Sequence, residues 1–242
     1  MKMIAFAQRN AKEILRDPLT LFFGIGFPVV ILVLLSAIQK NIPVALFEIR
    51  ALTPGIAVFG LSFFTLFAAQ VGAKDRATAF LARLLTTPMK AKAFILGYML
   101  PLLPMAMAQC LLVCSVAVLF GLPATMDILM LCLIILLPAV FFISLGVLLG
   151  SVLTEKQVGG ICGALLTNLT AWFSGVWFDT ALLGAGFEKA VECLPFVHAV
   201  ALGRCILQQT EIQPKNFIWV MIYVGAVLLA APQIFTRRMK NI

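Results

Sequence analysis

Apolar positions along this chain do not alternate with polar ones; they collect into six long runs, Leu19 to Ile38, Thr53 to Ala73, Ala93 to Phe120, Ile128 to Val152, Val158 to Phe178 and Phe217 to Phe235. Each run is near or above the ~20 residues a helix needs to cross a hydrocarbon core. The pattern therefore predicts an all-α membrane protein with six transmembrane helices. The third run is overlong, and Pro101 and Pro104 are placed to kink or break it, which would lay part of it along the interface. The first run is too long for a signal-peptide core, and no small-x-small cleavage site follows it before Gln39 and Lys40, so it is expected to stay as a span.

Three segments between or before the runs carry a different pattern. In the N-terminal stretch 1–18, Ile4, Ala7, Ala11, Ile14 and Leu15 fall on one helical face and Arg9, Lys12, Glu13 and Arg16 on the other, with Phe6 off the apolar stripe. This predicts an amphipathic helix lying in the interface, ended by Asp17-Pro18. The segment 74–92 holds Phe80, Leu81, Leu84 and Leu85 at helical spacing among basic residues, a short amphipathic helix that starts near Asp75 or Thr78 and stops before Pro88. Such a helix either inserts into a groove on a partner or anchors on the membrane surface, and the pattern leaves both open. The segment 179–213 is too apolar for an ordinary loop. Leu182, Leu183, Phe187, Val191 and Leu194, then Phe196 to Leu207 beyond Pro195, suit two outer re-entrant helices, or an interfacial helix lying flat.

Charge fixes an orientation. Lys2, Arg9, Lys12, Arg16, Lys74, Arg76, Arg83, Lys90, Lys92, Lys156, Arg237, Arg238 and Lys240 fall on one side, thirteen of the 18 Lys and Arg, leaving Lys40, Arg50, Lys189, Arg204 and Lys215 for the other. The positive-inside bias places both termini in the cytoplasm, so the +8 net charge speaks for topology rather than nucleic acid. Composition agrees: of 242 residues, 62% are hydrophobic and 12% charged, with a mean hydropathy of +1.09, unlike a soluble domain. Six spans leave no room for a separate catalytic domain, so residues 1–242 are expected to form a single transmembrane domain.

Chemistry-bearing motifs are absent. There is no Gly-Lys dipeptide and hence no P-loop, a single histidine rules out H-E-x-x-H, and there is no G-x-S-x-G elbow. Cys110, Cys114, Cys132 and Cys162 sit inside apolar runs, where thiols pack as small hydrophobes; Cys193 and Cys205 share the outer segment, either paired or free. His198 has a packing or interfacial role. All ten acids fall in loops or at span ends, which weakens an ion-coupled carrier. Gly146 with Gly150 and Gly159 with Gly163 form small-xxx-small pairs that permit close helix packing. On the second run Phe59, Phe63 and Phe67 recur every fourth residue beside Ser62, Thr65 and Gln70, and the fifth run carries Thr167, Asn168, Thr170 and Trp172. The phenylalanines suit either a path for amphiphilic cargo or core packing, whereas Gln70 and Asn168 demand polar partners or water.

The interfacial helix ending Arg16-Asp17-Pro18, the six spans, the helix between the second and third, and Ser174-Gly175 followed by a helical hairpin with Leu194-Pro195 and Arg204 resemble the type-2 permeases of ATP-binding-cassette (ABC) exporters, over essentially the whole chain. The resemblance implies a plasma-membrane permease subunit that is not itself an enzyme. It would dimerise with a second copy or a paralogue and dock onto separate ABC ATPase subunits, where ATP and magnesium bind. A coupling helix would contribute Arg76, Thr78, Phe80, Leu81, Arg83, Leu84, Leu85 and Thr87 to that contact. A connecting helix would add Arg9, Arg16 and Asp17. The substrate path would run along Phe59, Ser62, Phe63, Phe67, Gln70, Thr167, Asn168 and Trp172, carry an amphiphilic substrate such as a drug, peptide antibiotic or lipid, and end at the outer re-entrant helices. The family gives no cofactor on this chain and no nucleic-acid partner. An ion-coupled secondary carrier, or a membrane anchor or sensor for a signalling partner, are the alternatives.

Overall fold

The computed structural model describes residues 2–42, 44–78, 91–178, 182 and 184–239, and those residues form helices and connecting turns with no strand. In chain order the helices are α1 (Lys2–Leu15), α2 (Pro18–Asn41), α3 (Ile49–Ala77), α4 (Ala91–Leu119), α5 (Met126–Gly150), α6 (residues 155–173), α7 (Ala185–Val191), α8 (Pro195–Leu207) and α9 (Pro214–Met239). Five of them, α2, α3, α4, α5 and α9, are long and apolar enough to cross a membrane. The fifth predicted run falls on α6, which opens on Glu155-Lys156-Gln157 and carries Thr167, Asn168 and Thr170, so its apolar content is lower.

Local chemistry explains the boundaries. Asp17 caps α2 by accepting from the Leu19 N–H at 3.1 Å and the Thr20 hydroxyl at 2.7 Å, and Pro18 takes the first helical position, where no N–H is needed. Thr154 and Gln157 form a capping box at the start of α6. The end of α4 closes in a Schellman arrangement: the Leu122 N–H bonds to the Ala117 carbonyl and the Gly121 N–H to that of Val118, with Gly121 at φ +102°. α5 is interrupted at Ile135, because Pro138 has no N–H to offer the Ile134 carbonyl four residues back. α4, by contrast, runs unbroken through Pro101 and Pro104. Two π-helical stretches, Phe22–Gly26 in α2 and Gly159–Leu166 in α6, interrupt the α geometry of those helices.

α3 is the central helix; α2, α4, α5, α6 and α8 all pack on it, and nearly every side chain from Ala51 to Ala69 is buried. Its seam with α5 depends on small residues. A Cβ on Gly146 would lie 2.4 Å from the Thr65 carbonyl oxygen, and one on Gly150 2.6 Å from that of Ala69, so backbone meets backbone there. The Thr65 hydroxyl donates across the seam to the Phe142 carbonyl at 2.8 Å. The Gly146/Gly150 pair is thus used within one chain. α9 packs on α5 and α8.

α1 departs from the expected face. Phe6, Ala7, Asn10 and Ile14 are its buried residues, while Ile4 and Leu15 are exposed. Phe6 fits against Gly97 of α4 and meets Phe94 and Tyr98 edge-on, at ring centroid distances of 6.0 and 4.9 Å. The buried stripe is rotated because α1 packs on a protein groove that accepts an aromatic ring and an amide. The helix of the second run also continues past Asp75 to Ala77, which places Asp75 within α3. Among the described residues of the segment 179–213 two helices occur, separated at Pro195, the first residue of α8; Leu183 lies outside the described residues. Cys193 and Cys205 are both free thiols.

Candidate functional site

Residues from three helices converge at the end of the bundle that carries α1. The guanidinium of Arg9 grips Asp75 with two 2.8 Å contacts, NH1 to Oδ2 and NH2 to Oδ1, the bidentate geometry that makes Arg–carboxylate pairs directional. Asp75 is 1% exposed, and its Oδ2 also accepts from the Tyr98 hydroxyl of α4 at 3.0 Å. Glu13 extends the network, bonding Arg9 at 2.8 Å and Lys74 at 2.7 Å. One carboxylate of α3 thus holds α1 and α4 together. Beside it, the Arg76 guanidinium donates to the carbonyls of Ser151 and Leu153, satisfying acceptors at the C-terminal end of α5 that no helical N–H reaches. Thr78 follows in extended conformation (φ −99°, ψ 157°), its hydroxyl donating to the Asp75 carbonyl.

The network borders an open cleft of about 1060 Å³ between α1, the start of α2 and α3. Arg9, Arg16 and Asp17, expected on a connecting helix, line it together with Phe67 and Gln70, expected on a substrate path. Lys12 and Glu155 line it as well, so the wall mixes both signs of charge with apolar surface. The Asp17 carboxyl is held below its ordinary pKa, chiefly by the Thr20 hydroxyl and against slight desolvation, with help from the Leu19 and Thr20 N–H groups and Lys74.

The phenylalanine stripe of α3 faces α2. Phe59 and Phe63 meet edge-on at 5.5 Å; Phe63 stacks on Phe23 at 5.9 Å and Phe27 touches both. Phe67 lies over Gly24, where a Cβ would come within 2.7 Å of its ring. All three are buried, and Ser62 beside them satisfies its hydroxyl on the Phe59 carbonyl at 2.7 Å. Only Gln70, a turn further on, is exposed. α6 packs on a neighbouring stripe of α3, where Leu66, Ala69 and Ala73 meet Val158 and Cys162. On α6, Thr167 is buried and bonds the Cys162 carbonyl at 3.0 Å, while Asn168 and Trp172 are exposed. The two predicted path sets therefore sit on adjacent faces of α3, and Gln70 and Asn168 are both exposed. Phe80, Leu81, Arg83, Leu84, Leu85 and Thr87 lie outside the described residues.

At the far end of α3, Arg204 of α8 donates Nε–H to the Ala51 carbonyl at 3.1 Å and NH2–H to that of Gly175 at 2.7 Å. Arg50 reaches the Leu207 carbonyl at 3.5 Å. His198 is buried; Nδ1 lies 2.8 Å from Asn216 Oδ1 and Nε2 2.7 Å from the Glu192 carbonyl, with the ring stacked on Trp219. The packing role expected of it is what the structure gives. Asn10 and Tyr98 were not singled out by pattern, which marks Asp75 only as a candidate helix start. Asn10 in the apolar stripe of α1 was the available signal, since a buried amide demands a partner.

The family model for ABC-2 type transporter membrane domains matches residues 1–207. This chain belongs to that family. It is a transmembrane permease component of an ABC transporter, a multi-pass membrane protein of a kind that works with ABC ATPase subunits. A search of curated proteins gives no match.

Proposed function

We propose that the chain is the permease of an ATP-driven exporter that moves an amphiphilic substrate outward across the plasma membrane, with ATP and magnesium bound on separate ATPase subunits. The observation that carries this reading is the junction at Asp75, where α1, α3 and α4 are held together beside the cleft and next to the segment expected to form the coupling helix. A push on that segment would pass directly into α3. Thr78 supports a helix start there, since its extended backbone suits an N-cap residue. Arg76 would relay the same motion to the end of α5 and the loop before α6. In this reading both termini are cytoplasmic and α6 is a sixth crossing, its 19 residues spanning about 28 Å. α7 and α8 form the outer gate, and two permease copies, or this chain and a paralogue, face each other across the substrate path. Asn168 and Trp172, exposed on α6, suit such a shared path.

Affinity capture of the tagged chain from its native membrane in nanodiscs, followed by mass spectrometry, tests this. The expected result is a P-loop ATPase in one-to-one ratio, lost in Leu81→Asp and Leu84→Asp variants that still insert. A chain recovered without any ATPase, or transport that follows an ion gradient and ignores ATP, overturns it.

A further inference from the structure

Three cysteine thiols meet inside the bundle. Cys110 and Cys114 lie one turn apart on α4, Cys132 comes from α5, and their three Sγ atoms all lie within 4.8 Å of one another. The Cys110 and Cys132 sulfurs are 3.7 Å apart. All three residues are buried, at most 1% exposed. A thiophilic centre bonded to three sulfurs at about 2.3 Å needs them roughly 3.5–4 Å from one another, so small side-chain adjustments convert this cluster into a ligand set. Packing alone would account for buried thiols one at a time. It does not call for three of them, from two helices, with their sulfurs turned to one point.

Charge selects the ligand. The cluster lies in helices apolar enough to span a membrane, where an unbalanced charge is strongly disfavoured. A divalent ion on three thiolates leaves one negative charge, and a monovalent ion leaves two. A trivalent centre on three thiolates leaves none. Soft sulfur ligands favour soft centres, and the trihydroxide of trivalent arsenic is small and uncharged, so it can enter an apolar interior without shedding a charge-bound hydration shell. We propose that Cys110, Cys114 and Cys132 form a binding site for trivalent arsenic or its antimony analogue. In the step, three As–S bonds form and three As–O bonds break. Each thiol proton leaves with a hydroxide as water, so one trihydroxide and three thiols give one tris-thiolate and three waters with no change of oxidation state. The product ties α4 to α5. This assignment rests on the thiol geometry and its apolar surroundings and stands apart from the transport reading.

The test uses the full chain in nanodiscs, reduced with a phosphine so that no dithiol competes, equilibrated with arsenite and desalted. Elemental analysis should give about one arsenic per chain, and X-ray absorption at the arsenic edge should show three sulfur neighbours and no oxygen. Cys110→Ala, Cys114→Ala and Cys132→Ala should each lower the bound arsenic at least tenfold, whereas Cys162→Ala and Cys193→Ala should leave it unchanged. The wild-type spectrum decides the matter even where a variant folds poorly. Absence of bound arsenic, oxygen in its coordination shell, or retention in the Cys110 and Cys132 variants overturns the proposal.

Discussion

The side-chain amide of Asn10 donates to the carbonyl oxygen of Gly97 at 3.1 Å. That carbonyl is the one Pro101 leaves without a helical donor, because residue 101 has no N–H to return to residue 97. Gly97 also has no side chain, so α1 can approach closely enough for both Asn10 and Phe6 to reach the α4 backbone; a Cβ at 97 would meet the Phe6 ring at 2.4 Å. A proline, a glycine, an amide and a phenylalanine thus form one joint between α1 and α4.

The joint predicts non-additivity. Asn10→Leu should destabilise the chain by about 1–3 kcal/mol, since it strands a buried carbonyl. In a Pro101→Ala background the restored helical N–H satisfies that carbonyl, and the cost of Asn10→Leu should fall by at least half. Thermal unfolding of the two single variants and the double variant in one detergent checks this; equal costs in both backgrounds would contradict the account.

For the Arg9–Asp75 pair the two partners should be unequal. Arg9→Leu leaves a carboxylate buried without its counter-charge and should cost about 3 kcal/mol, the lower end for buried pairs because Arg9 keeps 35% of its side chain exposed. Asp75→Asn keeps an acceptor for the Tyr98 hydroxyl and leaves Arg9 paired with Glu13, so its cost should be smaller. Melting temperatures in the reverse order would refute this.

Arg204→Lys should not preserve the junction of α8 with the start of α3. A lysine retains the charge but cannot span the Ala51 and Gly175 carbonyls with a planar fork, so a loss of about 1–2 kcal/mol is expected. Proteolytic sensitivity of the segment between α6 and α8 should rise with it, and an unchanged cleavage rate would argue that the fork is dispensable.

Gln109 is fully buried and its Oε1 has no partner among the described residues, while its Nε2 reaches the Ala57 carbonyl only at 3.5 Å. Gln109→Leu should therefore be neutral or stabilising by up to about 1 kcal/mol. A stabilised variant that loses transport would mark the amide as functional; a strongly destabilised one would mean that Oε1 has a partner.

Asp17→Ala removes the cap of α2 and should cost about 1 kcal/mol at neutral pH. Because the folded carboxyl titrates below its ordinary value, this contribution is fully present above the unfolded pKa of about 4 and is lost as pH falls through the lowered folded value. The melting-temperature gap between wild type and variant should stay constant down to about pH 4 and close only below it.

Five of the six predicted runs emerge as helices long and apolar enough to cross because lipid imposes a coarse demand, a long apolar run per crossing, and Asp17-Pro18 and Pro195 mark boundaries through strictly local chemistry. The face of α1 was not legible. Its buried stripe has Asn10 near the centre, which periodicity scores as polar, and what makes that amide acceptable lies 87 residues away at Gly97. Asp75 was hidden for a similar reason: a charge at the end of an apolar run looks solvated until Arg9 and Tyr98 are seen around it. The phenylalanines at 59, 63 and 67 were correctly placed on one stripe, but the sequence does not show that Phe23 and Phe27 fill the space beside them.

α3 is gripped by an arginine from another helix near each of its ends, Arg204 at Ala51 and Arg9 at Asp75, about 36 Å apart along the axis. A rod fastened at two points that far apart resists pivoting about either one, so a displacement imposed at one end arrives at the other as travel along its length. The fastenings themselves then become the places where stiffness can be tuned, and a slackened one would dissipate an imposed displacement before it reached the far end.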